Sequence, residues 1–171
     1  MSPSLGWLIA LATCYPWLLA GDLLSDLTAP WHLLVFISGA VLVTPFLYLR
    51  TWQAVLLAGC VGLAFEARRP IAPGTFALLL MIVSVVAVAW RERLNSKPAW
   101  LAGVTLNMLV CALALPASLP QTQTWTWSQW IWSYPLEILF AGLVAFILHH
   151  PITAWQTRLL EHSGMHKIQE K

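Results

Sequence analysis

The sequence predicts an all-α membrane protein that crosses the bilayer about six times, and three observations predict it. Hydrophobic residues fill 59% of 171 positions, Asp, Glu, Lys and Arg together only 9%, and mean hydropathy is +0.73. A water-soluble domain is nearer half apolar and a quarter charged, so one aqueous core cannot hide this much apolar surface. The apolar residues gather in six runs near the ~20 residues that a helix needs to cross hydrocarbon. The few basic residues fall mostly in alternate connections, the asymmetry that sets orientation in a membrane.

The first run covers about residues 5–21 and holds Pro16, a candidate kink. No basic segment precedes it and no small-x-small cleavage site follows, so it reads as a retained helix and not as a signal peptide. "DLLSDLTAP" then carries Asp22 and Asp26 without a base. A second helix is expected over 31–49, with Pro45 near its end, followed by a tight turn at Arg50. The third, 52–66, is short: at ~1.5 Å per residue it reaches about 22 Å. It therefore ends below the surface or sits where the bilayer is thinned. The fourth covers 74–90, "RERLNSKP" reads as a basic loop, and the fifth covers 99–116 up to Pro116. "ASLPQTQTWTWSQWIWSYP" reads as an uncharged loop whose Trp125, Trp127, Trp130 and Trp132 lie at the outer interface, where indole rings settle. The sixth helix covers 134–149.

Residues 152–161 read as a short amphipathic helix on the inner surface, with Ile152, Trp155, Leu159 and Leu160 on its apolar side. Gln156, Arg158 and Glu161 fall elsewhere, and Trp155, Arg158 and Leu159 form a candidate cytoplasmic docking point. Residues 162–171 are a polar tail. The whole chain, 1–171, reads as a single membrane domain.

With the N-terminus in the cytoplasm, the inner segments hold Arg50, Arg91, Arg93, Lys97, Arg158, Lys167 and Lys171, and the outer ones only Arg68 and Arg69. Both termini are therefore expected to be cytoplasmic. The exception, "AFEARRPIAPG", places Glu66, Arg68 and Arg69 at an outer corner. Glu66 and Arg69 can touch at i, i+3 spacing if the helix continues one turn. Two readings stand side by side: a self-neutralised helix end whose arginines reach headgroup phosphates, or a contact for an acidic partner in a larger complex. Pro70 and Pro73 stiffen this loop, and Gly74 lets the chain turn into the next helix. Ala58, Gly59 and Gly62 suit close helix packing.

Glu137, just after Pro135, fits the first turn of the sixth helix, where the dipole favours an acid. The alternative is an intramembrane polar site for a cation or partner, for which Asn107 is a second candidate; Asn107, with Thr105 nearby, also reads as a polar contact between helices. His162 and His166 have i, i+4 metal-ligand spacing, but no Cys or acid completes a set, so no metal is expected. Cys14, Cys60 and Cys111 lie in three different apolar runs, which argues against a disulfide framework. Ser38 and Ser84 have no base nearby, and there is no P-loop, dinucleotide turn or CxxC, so neither catalysis nor a cofactor is expected. The small net charge of +2 gives no reason to expect nucleic acid.

Gly62, Glu66 and Gly74 form a pattern of a glycine, an acid four residues later and a glycine eight beyond. With Pro30 opening the second helix and a basic turn between the fourth and fifth, the chain resembles the MreD family, small integral membrane subunits of the bacterial rod-shape complex. The resemblance covers most of the chain; the family's acid is commonly Asp, where this chain has Glu66. It implies a fold like the six-helix substrate-binding subunits of energy-coupling-factor vitamin transporters. It also implies a non-enzymatic role in the bacterial inner membrane: binding MreC, and helping to couple cytoplasmic MreB filaments to the RodA glycosyltransferase and its penicillin-binding transpeptidase. On that reading Glu66, Arg68, Arg69 and Gly74 mark a partner-binding corner. The rival reading is a vitamin-transporter subunit with a polar pocket using Glu137, Asn107 and the tryptophans. An enzyme acting on lipid-linked sugars is a third, and the absence of clustered acids argues against it.

Overall fold

Residues 6–28, 30, 35–67, 72–96, 98–118 and 127–165 are described by the computed structural model of the chain. The regular structure among them is helical: α1 (Gly6–Thr28), α2 (Ser38–Tyr48), α3 (Thr51–Glu66), α4 (Thr75–Ala89), α5 (Arg91–Ser96), α6 (Ala99–Ser118) and α7 (Trp127–His162). The all-α expectation holds, and several boundaries move for identifiable reasons. The helix expected to stop at residue 21 runs on to Thr28, because "DLLSDLT" contains no breaker. Thr28 folds its hydroxyl back onto the carbonyls of Leu24 and Ser25, and Pro30 disfavours helix in the residue before it. The basic segment expected as a loop forms the six-residue α5.

The largest departure is the second helix. The uniform apolar run suggests helix from residue 31, yet Val35, Phe36 and Ile37 are non-helical and buried, and α2 begins only at Ser38. Side chains from other helices take the backbone groups that a helix would have used. The Ser25 hydroxyl donates to the Val35 carbonyl and accepts from the Val35 N–H, at 3.1 and 3.2 Å. Asn107 takes the Phe36 carbonyl. Ten of the eleven residues of α2 are buried, and it touches all six other helices. It is the axis around which the rest packs.

Helices α3 and α4 form the tightest pair. A Cβ on Gly62 would stand 2.4 Å from Ala77 Cα, and one on Gly59 3.3 Å from Met81 Sδ. Only residues without side chains let two backbones approach so closely. Phe65 and Phe76 stack at 4.4 Å between ring centroids, and Phe36 meets both edge-on at 5.3 and 5.7 Å. The aromatic triad ties the extended lead-in of α2 to the far end of this hairpin.

Helix α7 has 36 residues. At ~1.5 Å per residue that is about 54 Å, well beyond the ~30 Å of bilayer hydrocarbon. It absorbs two expected features. The tryptophan segment read as a loop becomes helical from Trp127, with Pro135 inside the helix, and the surface helix expected at 152–161 is its last third. Trp125 lies outside the described residues.

Interior prolines leave carbonyls without a helical partner four residues earlier. Pro45 frees the carbonyl of Val41, which accepts from Gln156 Nε2 at 2.9 Å. Pro116 frees that of Ala112, which accepts from the Tyr134 hydroxyl at 2.5 Å. Both donors belong to α7, so two proline defects are repaired from one helix.

Helices α1 (Gly6–Thr28) and the Trp132–His162 part of α7 are long and apolar enough to cross a membrane, and only 22% of each apolar window is buried. Leu8, Leu23, Leu24 and Leu27 of α1 and Leu136, Leu139, Leu143 and Ile147 of α7 are exposed, unlike the side chains of a core helix in a water-soluble protein. The other apolar helices among the described residues are shorter, at 10–17 residues.

Candidate functional site

The corner where α3 hands over to α4 is built by three residues acting together. Gly62 removes the side chain that would hold the helices apart. One turn later Glu66, the last residue of α3, is buried, and its carboxylate turns across to the first turn of α4. It accepts from the N–H groups of Gly74 at 2.6 Å, Ala77 at 3.0 Å, and Phe76. Thr75 N–H donates to the Ala72 carbonyl and Leu78 N–H to that of Gly74, so the opening turn of α4 has no orphan donor. A buried carboxylate on a helix N-terminus gains from charge-assisted bonds and from the dipole together. Gly74 reverses the chain at φ 88°, in the left-handed region.

Nothing lies within 4 Å of where a Gly74 Cβ would stand, so strain and not space decides a substitution there. Gly74→Ala is expected to cost about 1–2 kcal/mol, lowering the thermal midpoint in detergent by roughly 5 °C. Gly74→Asn should cost less than Gly74→Val, because asparagine tolerates this backbone region.

Both Glu66 oxygens are thus committed to backbone N–H groups at the start of α4. Arg68 and Arg69 lie outside the described residues.

A second clasp sits on α2. Asn107 of α6 is fully buried and makes four bonds to main-chain atoms. Its Oδ1 accepts from Gly39 N–H at 3.1 Å and Ala40 N–H at 3.3 Å. Its Nδ2 donates to the carbonyls of Phe36 at 2.6 Å and Ala141 at 2.9 Å. The amide therefore caps the start of α2 and stitches α6 to α7. At the other end of α2, buried Arg91 donates from Nε to the Phe46 carbonyl at 3.0 Å and from Nη2 to that of Leu49 at 2.5 Å. One short central helix is capped at both ends by side chains from its neighbours.

The polar contact between helices expected of Asn107 is therefore present. Asn107 has used all its hydrogen-bonding capacity on backbone, which removes it from any set of ligand-binding groups. Glu137 is partly buried one turn before Ala141, ten residues into α7. The first-turn dipole explanation does not apply to it, since that effect fades within a turn.

The last third of α7 also differs from expectation. Ile152, Gln156 and Leu160 are its buried face, each wholly inaccessible, while Trp155 and Leu159 point outward with Arg158. Gln156 is polar by type, but the Val41 carbonyl needs it; Cys14 Sγ, at 3.6 Å, accepts from the same nitrogen. Nearer its end α7 is held by the Tyr48 hydroxyl, which donates to Glu161 at 3.2 Å. Trp155, Arg158 and Leu159 do share one exposed face, packed on the bundle through the helix behind them.

Sequence reasoning missed the inward roles of Arg91, Gln156 and Gly39. Pro45 was the available signal for Gln156, since a proline at that place announces an unfilled carbonyl. Among the described residues no three His, Cys, Asp or Glu side chains gather to hold a metal ion. No protein-family model, no curated protein and no solved structure matches this chain.

Proposed function

We propose that this chain is a non-enzymatic scaffold subunit of the bacterial cell-elongation complex, of the MreD kind, seated in the inner membrane. It binds MreC there and links MreB filaments to RodA and its transpeptidase. The observation that carries the reading is the Gly62–Glu66–Gly74 corner. The three residues on which the resemblance rests are one structural unit: close approach, cap and reversal. Helices α1, α2 with its lead-in, α3, α4, α6 and α7 are the six crossings, and α5 is an inner connection. Gly6 and Met165 lie against each other, so that a Cβ on Gly6 would stand 2.9 Å from Met165 Sδ. Described ends that meet at one end of the bundle favour an even number of crossings, and the basic inner segments favour a cytoplasmic location for both termini. In this fold a buried Glu66 stiffens the corner, and Arg68 and Arg69 carry its contact to the partner.

The test is recovery of MreC from solubilised membranes with the tagged chain. The native chain brings MreC down, and Arg68→Glu with Arg69→Glu lowers recovery several-fold. Full recovery with the charge-swapped pair removes the arginines from the contact. Failure of the native chain to recover MreC at all overturns the proposed role.

A further inference from the structure

Charge is unevenly divided between the two ends of the bundle. Among the described residues, the end holding the start of α1, the close of α2 and the α4–α5 connection carries Arg50, Arg91, Arg93 and Arg158 against the acids Glu92 and Glu161. The described charges at the opposite end are the acids Asp22, Asp26, Glu66 and Glu137. The structure adds a pattern within the basic end. Three exposed arginines each lie two or three residues from an exposed tryptophan: Arg50 with Trp52, Arg93 with Trp90, and Arg158 with Trp155. The tryptophans are about half exposed, at 49%, 58% and 48%. The Arg93 guanidinium lies 5.7 Å from the centroid of the Trp90 ring, which holds the cation beside the indole. The couples come from three elements. The Arg91 bonds to α2 and the Tyr48–Glu161 bond bring α5 and the last turns of α7 to the end where α3 begins. Among the described residues the acids exposed there are Glu92 and Glu161, and Glu161 already accepts from Tyr48.

An indole settles at the level of the glycerol backbone, and an arginine beside it reaches the phosphate. We propose that this end of the bundle is a binding surface for anionic phospholipid headgroups, with Arg50, Arg93 and Arg158 on the phosphates and Trp52, Trp90 and Trp155 seated beneath them. A lipid is the occupant that fits, and not a free anion. Each arginine stands beside a large apolar ring, and the outward apolar faces of α4 and α7 continue from Trp90 and Trp155 into the expected hydrocarbon zone. The inference rests on the membrane reading and is independent of MreC.

The purified chain is placed in nanodiscs of phosphatidylcholine, alone or mixed with phosphatidylglycerol. Retained lipids are counted by native mass spectrometry, and thermal midpoints are recorded. The native chain retains phosphatidylglycerol in preference and melts higher in the mixed discs. Raised salt erases both effects, since exposed charges are screened. The triple variant Arg50→Gln, Arg93→Gln, Arg158→Gln loses the preference by about fivefold per arginine removed. The corresponding triple lysine variant keeps most of it, which separates lost charge from lost folding. A native chain without the preference, or a glutamine variant that keeps it in full, overturns the inference. So does inorganic phosphate raising the midpoint in phosphatidylcholine discs as far as phosphatidylglycerol does. A chain that leaves cell membranes without detergent overturns the membrane reading itself, a result distinct from a detergent-requiring chain that shows no lipid preference.

Discussion

Glu66→Ala is expected to destabilise the protein by about 3 kcal/mol or more, because it strands three N–H groups at the start of α4, and a buried donor without a partner costs ~1–3 kcal/mol. Water does not readily replace the lost carboxylate, since Glu66 is only 7% exposed. The thermal midpoint in detergent should fall by roughly 10 °C. The damage is directional. Amide exchange should quicken at Phe76 and Ala77, whose N–H groups lose their acceptor, before it changes at the start of α3. Glu66→Gln keeps one acceptor oxygen and should fall between alanine and native. Glu66→Asp should be mild, since α3 need lean in only by the length of one methylene to keep the bonds. Native exchange rates at Phe76 and Ala77 in Glu66→Ala would show that the carboxylate is not what holds α4.

The pattern of glycine, acid and glycine was legible in the sequence because its members differ sharply in type from the apolar background. Which way the acid faced was not. Glu66 has the same spacing to Arg69 whether it turns outward to a salt bridge or inward to α4, and only the approach of Gly62 to Ala77 decides between them. The start of α2 was hidden for a related reason. Residues 31–49 are uniformly apolar but for His32, Ser38 and Thr44, and hydropathy cannot distinguish helix from extended chain in such a run. The decision is made by Ser25, 10 residues before Val35, and by Asn107, 68 residues after Gly39. In the last third of α7 the error was one of face. Trp155 and Leu159 are apolar and Gln156 is polar, so an aqueous pattern puts the glutamine outside. The structure has the opposite arrangement: the apolar side chains lie outward, as on a helix that faces an apolar surrounding, and the polar one is drawn in to the backbone group that Pro45 leaves unfilled.

Four buried polar side chains, Glu66, Arg91, Asn107 and Gln156, therefore share one task. Each bonds to main-chain atoms of a helix end or a proline defect on another helix. They fix where helices start and stop, and through the Phe36–Phe65–Phe76 triad the corner at Glu66 and the clasp at Asn107 meet in one cluster.

Gly39→Ala tests that interior most severely. A Cβ there would stand 2.5 Å from Asn107 Cα and 2.8 Å from both Asn107 N and Leu106 O. These are backbone atoms, so no rotamer relieves the clash, and α2 must move away from α6. Doing so pulls on all four Asn107 bonds at once. Overpacking alone costs ~1–3 kcal/mol, and the strained cap adds to it, so a loss of about 4 kcal/mol is expected. Gly142→Ala is the matched control. Its Cβ would meet Met108 Sδ at 2.8 Å, but methionine is unbranched and can swing aside, so the cost should stay under about 1 kcal/mol. Asn107→Leu should be as damaging as Gly39→Ala, since it strands the Gly39 and Ala40 N–H groups and the Phe36 carbonyl and removes the tie to Ala141 of α7. Because both changes break the same bonds, the double variant should lose much less than the sum, with a coupling of about 1–3 kcal/mol. Equal thermal midpoints for Gly39→Ala and Gly142→Ala, or strict additivity in the double variant, would mean that α2 is not anchored through Asn107.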